Sequence, residues 1–310
     1  MLTNAFANSI DYLTYIVPYM IVGIVLAELL VELGWIKKIG FLVLPLTNFA
    51  NLRKECGVCF LTAFASPAAA NASLKHLYDE KLIDEKELII SSILNSFPSI
   101  IMHWRTLLPV LVPLLGVTGL IYIGLLTLVG FIKTTIVLFV GHFMLDERSD
   151  NTNIEHASRP PFPDALRSSI TRSKKTLSRI LVVMIPTTII VFVLIDLGLF
   201  DALAVYLQAI SEYLPVPASG LPIIAAQFAS KIAAYTIAGN LLTGGILSSR
   251  DIVITLLVGK ILSSITAIRI LAPYYVGIFG PRLGIKIMLL SSLLREGVLI
   301  VITLLIVLFC

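Results

Sequence analysis

Two long apolar runs, from Val117 to Phe143 and from Leu283 to Leu308, restrict the fold of this chain more than any other feature. Each run is longer than the ~20 residues that a helix needs to cross the hydrocarbon core of a bilayer. Of the 310 residues, 57% are hydrophobic and only 14% are charged, whereas soluble domains carry about 25% charged residues. The sequence therefore predicts an all-α integral membrane protein whose apolar runs are spans and not buried core helices.

A stretch of small residues occurs twice in the chain. Phe64-Ala65-Ser66 returns as Phe228-Ala229-Ser230, at a spacing of 164 residues (230 − 66). The same spacing continues without a gap to Gly116 and Gly280, and 14 of these 53 positions are identical. The first spans also align, once a gap of four residues is allowed. The chain is therefore predicted to contain two copies of one structural repeat.

Each unit contains three predicted spans and one small-residue segment, which we expect to enter and leave the bilayer on the same side. The prediction is about six transmembrane helices plus two re-entrant segments. Because each unit crosses the membrane an odd number of times, the second copy has the opposite orientation, and the repeats have inverted topology. If the small-residue segments cross the membrane fully, each unit has an even number of crossings and the two copies are parallel. The predicted divisions are a first repeat at 1–145, a basic linker at 146–179 and a second repeat at 180–310.

The charge pattern gives an independent prediction of orientation. Basic residues are concentrated in the linker 146–179, and cytoplasmic loops of membrane proteins carry an excess of Lys and Arg. The linker is therefore predicted to be cytoplasmic, with both termini outside, in a multi-pass protein of the cell membrane. The lipid bilayer is the first expected partner, and a homo-oligomer is compatible with the pattern. The modest net charge of +4 does not indicate a nucleic-acid partner.

Inverted repeats with helices broken near the bilayer midplane are typical of secondary transporters. Ionisable and polar side chains inside spans are costly, and they often mark substrate pathways. The alternatives are that small residues only allow close helix packing, and that the lysines extend to head groups or pair with acids. The candidate substrate-binding residues are Ser66, Asn71, Asn95, Gln227, Ser230, Lys231 and Lys260.

Three acidic residues, Glu28, Glu55 and Asp196, are candidates for a coupling cation or for proton relay, with placement at the membrane edge as the alternative. Lys133 and Glu296 are predicted to form a structural ion pair between the last spans of the two units.

The motif Cys56-Gly57-Val58-Cys59 lacks a second cysteine pair or nearby histidines, so packing is its expected role. Glu55 and the two cysteines are the alternative, as ligands on a path for divalent cations.

The segment Phe64-Ala65-Ser66-Pro67-Ala68, its connector, its polar turn and the long span that follows resemble the Gate or nucleoside recognition family. That family includes the Gate regions of the ferrous-iron transporter, the core of concentrative nucleoside transporters and the spore maturation proteins A and B. The resemblance covers both halves and implies two Gate units with a solute or ion path between them. It also implies a place in the cytoplasmic membrane and no enzymatic domain.

The leading prediction is a secondary transporter or permease for a small polar solute such as a nucleoside, a nucleotide or an organic anion. One alternative is a divalent metal ion permease of the iron type. The other is a membrane scaffold that recruits partners through the basic linker. No catalytic nucleophile, phosphate-binding loop or paired catalytic carboxylates stand out, so no enzymatic activity and no cofactor are expected.

Overall fold

The structure is a computed structural model that describes all of residues 40–64, 66–146 and 214–309. It also describes scattered positions within 6–25 and within 163–193. Within these ranges the chain is helical and contains no strand. A 3₁₀ turn at Ala218–Gly220 precedes the second small-residue segment. The α-helices are α1 (Gly40–Phe49), α2 (Lys54–Ala63), α3 (Pro67–Asp79), α4 (Glu85–Leu94), α5 (Ser96–Leu115), α6 (Val117–Met144), α7 (Leu221–Ala229), α8 (Lys231–Thr243), α9 (Ser249–Phe279) and α10 (Pro281–Phe309).

Four apolar segments in the described ranges are long enough to cross a membrane. The prediction of a helical, membrane-embedded protein is confirmed at this level. The predicted first spans of the two units, and most of the basic linker, lie outside the described residues. The segments are Glu85–Leu115, which comprises α4 and α5, Val117–Met144, Ser249–Ile268 and Pro281–Phe309.

Both small-residue segments are helix–break–helix structures. The chain leaves α2 and re-enters a helix at α3, and it does the same between α7 and α8. Ser66 and Ser230 cap the second helix of each segment, since their hydroxyl oxygens accept from the backbone N–H of Ala69 at 3.2 Å and of Ala233 at 3.3 Å. Both capping residues have extended backbone, which ends one helix and starts the next.

The turns that follow also match. The side chains of Asp84 and Ser248, 164 residues apart, cap α4 and α9 by accepting from the third backbone N–H of each helix. Gly116 and Gly280 end the next long helices with φ of 55° and 81°, a region that glycine adopts without strain. These helix boundaries therefore recur at a spacing of 164 residues, which is also the spacing between the identical residues of the two halves.

The long segment 85–115 is interrupted at one point. Its helix breaks at Asn95, between α4 and α5, three residues before Pro98. Pro109 is a further place in this segment where a helix could kink or unwind, but the chain is not unwound there, because α5 continues through Pro109 and Pro113 to Leu115. In the second half, α9 runs unbroken over 31 residues.

In each half, a helix of the small-residue segment packs against a long helix of the other half. α3 of the first half packs against α9 of the second, and α8 of the second packs against α5 of the first. Two separate apolar cores result, each with members from both halves. One core contains Leu111, Tyr122 and Leu256, and the other contains Leu74, Leu88 and Ile287. Each small-residue segment also packs within its own half, α3 against α4 and α7 against α9, so both halves contribute to its surroundings.

Candidate functional site

A buried polar cluster joins α3 to the helix break at Asn95 and to α9. Asn95 Nδ2 donates to Asn71 Oδ1 at 3.0 Å, and Ser92 Oγ donates to the same oxygen at 3.4 Å. Asn71 Nδ2 donates to the hydroxyl of Tyr274 at 3.1 Å. Asn71 is 3% exposed and Asn95 is 1% exposed. The Oδ1 atom of Asn95 is buried without a hydrogen-bond partner, so this cluster has one acceptor left over.

In the second half, Gln227 lies between α7 and α9. Its Nε2 donates to the carbonyl of Leu256 at 3.2 Å, and the residue is buried. A Cβ atom at Gly259 would lie 2.3 Å from that Nε2, so glycine is what lets the amide approach the helix. Gln227 therefore links α7 to α9. The role of Gly259 could not be predicted from the sequence, because it depends on this contact.

The two candidate lysines of the second half lie in α8 and α9. Lys231 is the first residue of α8 and is exposed, whereas Lys260 in α9 is half-buried. Lys260 lies close enough to Lys231, Arg295 and Glu296 for their charges to act on it. Arg295 Nη2 and Glu296 Oε1 form an ion pair at 2.6 Å. Lys231 and Lys260, both selected in the sequence analysis, thus lie on the neighbouring helices α8 and α9, and Arg295 lies on α10.

Lys133 and Glu296, predicted to pair with each other, have different partners. The ammonium group of Lys133, a residue only 3% exposed, donates to Ser96 Oγ at 2.9 Å and to Ser291 Oγ at 2.7 Å. Glu296 pairs with its neighbour Arg295. Lys133 therefore links α6 to α5 and α10 through hydroxyl groups.

The acidic candidates and the cysteines are not gathered into one site. Glu55 is half-buried on α2, and Glu28 and Asp196 lie outside the described residues. Burial raises the pKa of the Cys59 thiol to about 11 and also raises the pKa of Cys56, so both stay protonated near neutral pH. No group of three or more His, Cys, Asp or Glu side chains in the described ranges is placed to hold a metal ion.

Tyr274 and Glu87 are buried or bonded residues that were not among the predicted ones. Tyr274 joins the asparagine cluster from 203 residues away, and nothing in the local sequence identifies it. Glu87 is 2% exposed, accepts from the backbone N–H of Arg53 at 2.9 Å, and lies 3.3 Å from the Arg53 Nε. Its place in a charged turn made it resemble a solvent-facing residue, although its neighbours in α4 are apolar.

The fold and these buried polar groups define a helical membrane-embedded protein with polar clusters between its two halves. The chain is 37% identical to "Uncharacterized protein MJ1556" of Methanocaldococcus jannaschii over 288 residues, which cover 92% of this chain and 91% of that protein. It therefore belongs to the same family as that protein. No family model and no solved structure matches it.

Two further proteins of Methanocaldococcus jannaschii are similar over most of their length. "Uncharacterized protein MJ0880" is 28% identical over 305 residues, 97% of this chain and 99% of that protein. "Uncharacterized protein MJ0871" is 28% identical over 268 residues, 84% of this chain and 82% of that protein. The similarity thus extends through both halves and the linker between them.

Proposed function

We propose that this protein is a secondary transporter of a small polar solute, built from two Gate-like repeats of inverted topology. The proposed repeats are 1–145 and 180–310, joined by a cytoplasmic linker at 146–179. The transported solute is a nucleoside, a nucleotide or an organic anion, which reaches its site alternately from the two sides of the membrane. The proposal includes six crossings, of which four correspond to the long apolar segments described above, and it includes no enzymatic step.

One observation carries this proposal: the broken segment of each half packs against the long helix of the other half. α3 lies on α9 and α8 lies on α5. A change in the angle between the halves would move both breaks together, in opposite senses if the repeats are inverted. That coupled movement is the requirement of alternating access.

The polar groups needed to bind a solute lie next to these breaks. Ser66 and Ser230 cap the starts of α3 and α8, and the Asn71 cluster links α3 to α9. Non-helical backbone at membrane depth is tolerated only where it is buried in protein or lines a cavity. In this proposal the two breaks and the side chains around them line the path of the solute.

Accessibility of one position from both sides of the membrane tests alternating access without a known substrate. In a variant with Cys56, Cys59 and Cys310 replaced by alanine, Ser230→Cys would be treated with a membrane-impermeant methanethiosulfonate reagent. Modification in both right-side-out and inside-out vesicles is expected. Arg250→Cys, in the turn before α9, is the control that should react from one side only. Reaction of Ser230→Cys from a single side would contradict the proposal.

The scaffold alternative makes a different prediction for the linker. A transporter core should tolerate deletion of residues 150–163, so the two-sided labelling of Ser230→Cys should survive that deletion. A protein that acts by recruiting partners would show one-sided labelling and would lose its partners. The divalent-cation alternative has less support, because no group of three or more His, Cys, Asp or Glu side chains in the described ranges is placed to hold a metal ion.

A further inference from the structure

Lys133 and its two hydroxyl partners lie at matching depths within their helices. Lys133 comes 11 residues before the end of α6 (144 − 133), and Ser96 comes 11 residues after the start of the segment Glu85–Leu115 (96 − 85). Ser291 comes 10 residues after the start of α10 (291 − 281). At 1.5 Å per residue these distances are about 15–17 Å, roughly half of the ~30 Å hydrocarbon core. The three side chains therefore meet near the middle of the spans.

Among the described residues, the partners of the Lys133 ammonium group are neutral. It donates to Ser96 Oγ at 2.9 Å and to Ser291 Oγ at 2.7 Å, and the residue is 3% exposed. The Ser96 hydroxyl donates in turn to the carbonyl of Ile93 at 2.6 Å, so its oxygen accepts from Lys133. A neutral amine could still donate to Ser96 and accept from the Ser291 hydroxyl. The site can therefore hold Lys133 in either protonation state.

Five helices, α1, α4, α5, α9 and α10, pack against α6 and supply the titratable groups around Lys133. Arg295 follows Ser291 by four residues, so it lies one turn further along the same face of α10, and it pairs with Glu296 at 2.6 Å. Arg295 therefore has its own counter-charge, and the contacts of Lys133 are with hydroxyl groups. The described titratable residues of these helices are none on α1, Glu85, Lys86 and Glu87 on α4, His103 and Arg105 on α5, Arg250, Asp251, Lys260, Tyr274 and Tyr275 on α9, and Arg282, Lys286, Arg295 and Glu296 on α10.

Lys133 connects the helix break of the first half to the second half. Ser96 directly follows the break at Asn95, which is itself bonded to Asn71, whereas Ser291 belongs to α10. A change in the angle between the halves has to separate Lys133 from one of its hydroxyls or admit water to it. Because a buried charge without partners is costly, the charged form tolerates this change only with water. The two arrangements therefore bind the Lys133 proton with different strength, and by linkage the proton biases the arrangement.

We propose that Lys133 carries the coupling proton of the transport cycle. This inference rests on the proposed transport function and names its coupling ion. In the arrangement that exposes Lys133, a proton from water on one side of the membrane forms the third N–H bond of the ammonium group. In the arrangement that encloses Lys133, as in the described structure, that bond breaks and the proton leaves to water on the other side. Low pH then favours the exposing arrangement, and high pH favours the enclosing one.

Nitrogen NMR of the full-length protein in liposomes tests whether Lys133 exchanges a proton. With nitrogen-15 in the lysine side chains, the signal that is missing from the spectrum of Lys133→Arg belongs to Lys133. This signal should change from charged to neutral between about pH 6 and about pH 9, because a coupling group has to exchange its proton near the working pH. Lysines in water have a pKa of about 10.4 and provide the internal reference. A Lys133 signal that stays charged throughout would overturn the inference.

Labelling from the two sides tests whether this proton controls the arrangement. In the cysteine-free variant, the rates for Ser230→Cys in right-side-out and inside-out vesicles are compared across the same pH range. Their ratio should change with pH by up to about tenfold per pH unit, the limit for one coupled proton. Lys133→Arg, which stays charged, should fix the ratio at its low-pH value, and Lys133→Gln should fix it at its high-pH value. A pH dependence that persists in both variants would belong to the introduced thiol and contradict the role of Lys133.

Ser291→Ala distinguishes proton binding from a purely structural link. The lost hydroxyl stabilises the charged form more than the neutral one, because hydrogen bonds from ionised donors are stronger. The midpoints of the NMR titration and of the labelling ratio should therefore both move to lower pH. Ser264→Ala is the matched control, since the Ser264 hydroxyl is bonded to the carbonyl of Ile261, and it should leave both midpoints unchanged. Unchanged midpoints in Ser291→Ala would contradict a proton held between these groups.

The two tests also separate this inference from the proposed function. Two-sided labelling of Ser230→Cys with a ratio that does not depend on pH supports transport and overturns the coupling role of Lys133. A Lys133 signal that titrates, while Ser230→Cys reacts from one side only, supports the proton site and contradicts alternating access.

Discussion

At the scale of single residues, Glu87 shows how a buried carboxylate fixes the start of a span. It accepts from the Arg53 backbone N–H, forms an ion pair with the Arg53 side chain, and lies 3.8 Å from the Cys56 Sγ. We expect Glu87→Ala to lower the free energy of unfolding by roughly 1.5–3 kcal/mol, the usual cost of losing hydrogen bonds to a charged group. The measurement is an SDS unfolding titration of the purified protein.

Glu85→Ala is the matched control for this variant. Both glutamates lie in the first turn of α4, so the favourable interaction with the helix dipole is lost equally in the two variants. Glu85 pairs with Lys286 at 2.6 Å, but both side chains are well exposed, and such pairs contribute little. Equal destabilisation by the two substitutions would show that the contacts of Glu87 with α2 do not stabilise the fold.

Some site residues could be predicted from the sequence and others could not. The difference lay in how close the partner of each residue is along the chain. Asn71 and Asn95 stood out because amides are unusual within apolar segments, and they do bond to each other. The partner Tyr274 could not be predicted, because the contact depends on how α3 packs on α9. Glu296 pairs with the adjacent Arg295, which leaves the Lys133 ammonium to two serine hydroxyls. Long-range pairing of charges was therefore the weakest kind of prediction.

At the scale of helices, close approach between neighbours depends on single glycines. A Cβ atom at Gly284, in the first turns of α10, would lie 2.4 Å from the backbone carbonyl oxygen of Tyr275 in α9. Gly119 has the same relation to Leu111 in the first half, at 2.6 Å. Because the obstacle is backbone, Gly284→Ala must push α9 and α10 apart. We expect it to destabilise the protein by about 1–3 kcal/mol.

Gly297→Ala in the same helix provides the comparison. A Cβ atom at Gly297 meets no atom within 4 Å, so this change should be neutral or stabilise α10 by up to about 1 kcal/mol through helix propensity. Thermal unfolding of the two variants in one detergent gives the order directly. A Gly284→Ala protein as stable as the Gly297→Ala protein would contradict tight packing at the turn.

Helix starts depend on the local sequence more than helix interruptions do. Ser66, Ser230 and the two polar turns are capping sequences, and a cap acts on amides only three residues away, so the local sequence is sufficient. Proline was an uneven guide: Pro67 begins α3 directly after a break, whereas α5 continues through Pro109 and the interruption of that segment lies at Asn95, before α5. The Asn95 side chain bonds to Asn71, which stabilises the break from another helix. An interruption that depends on a distant partner cannot be found from the sequence around it.

At the scale of the whole molecule, the proposed inversion of the two repeats determines which surfaces face the cytoplasm. The turns before α4 and α9 occupy equivalent positions, 164 residues apart. If the repeats are inverted, the turn with Lys86 is cytoplasmic and the turn with Arg250 is outside. If the repeats are parallel, both turns lie on the same side. Two equivalent positions therefore distinguish the arrangements without any knowledge of the substrate.

Lys86→Cys and Arg250→Cys, each in the variant with all native cysteines replaced by alanine, make this a direct measurement. Both native side chains are exposed, so the introduced thiols should react with a maleimide. With an impermeant maleimide on intact cells, Arg250→Cys should be labelled, and Lys86→Cys should be labelled only after the cells are permeabilised. Labelling of both positions from the same side would contradict the inversion, and with it a rocking movement that exposes the two breaks in opposite senses.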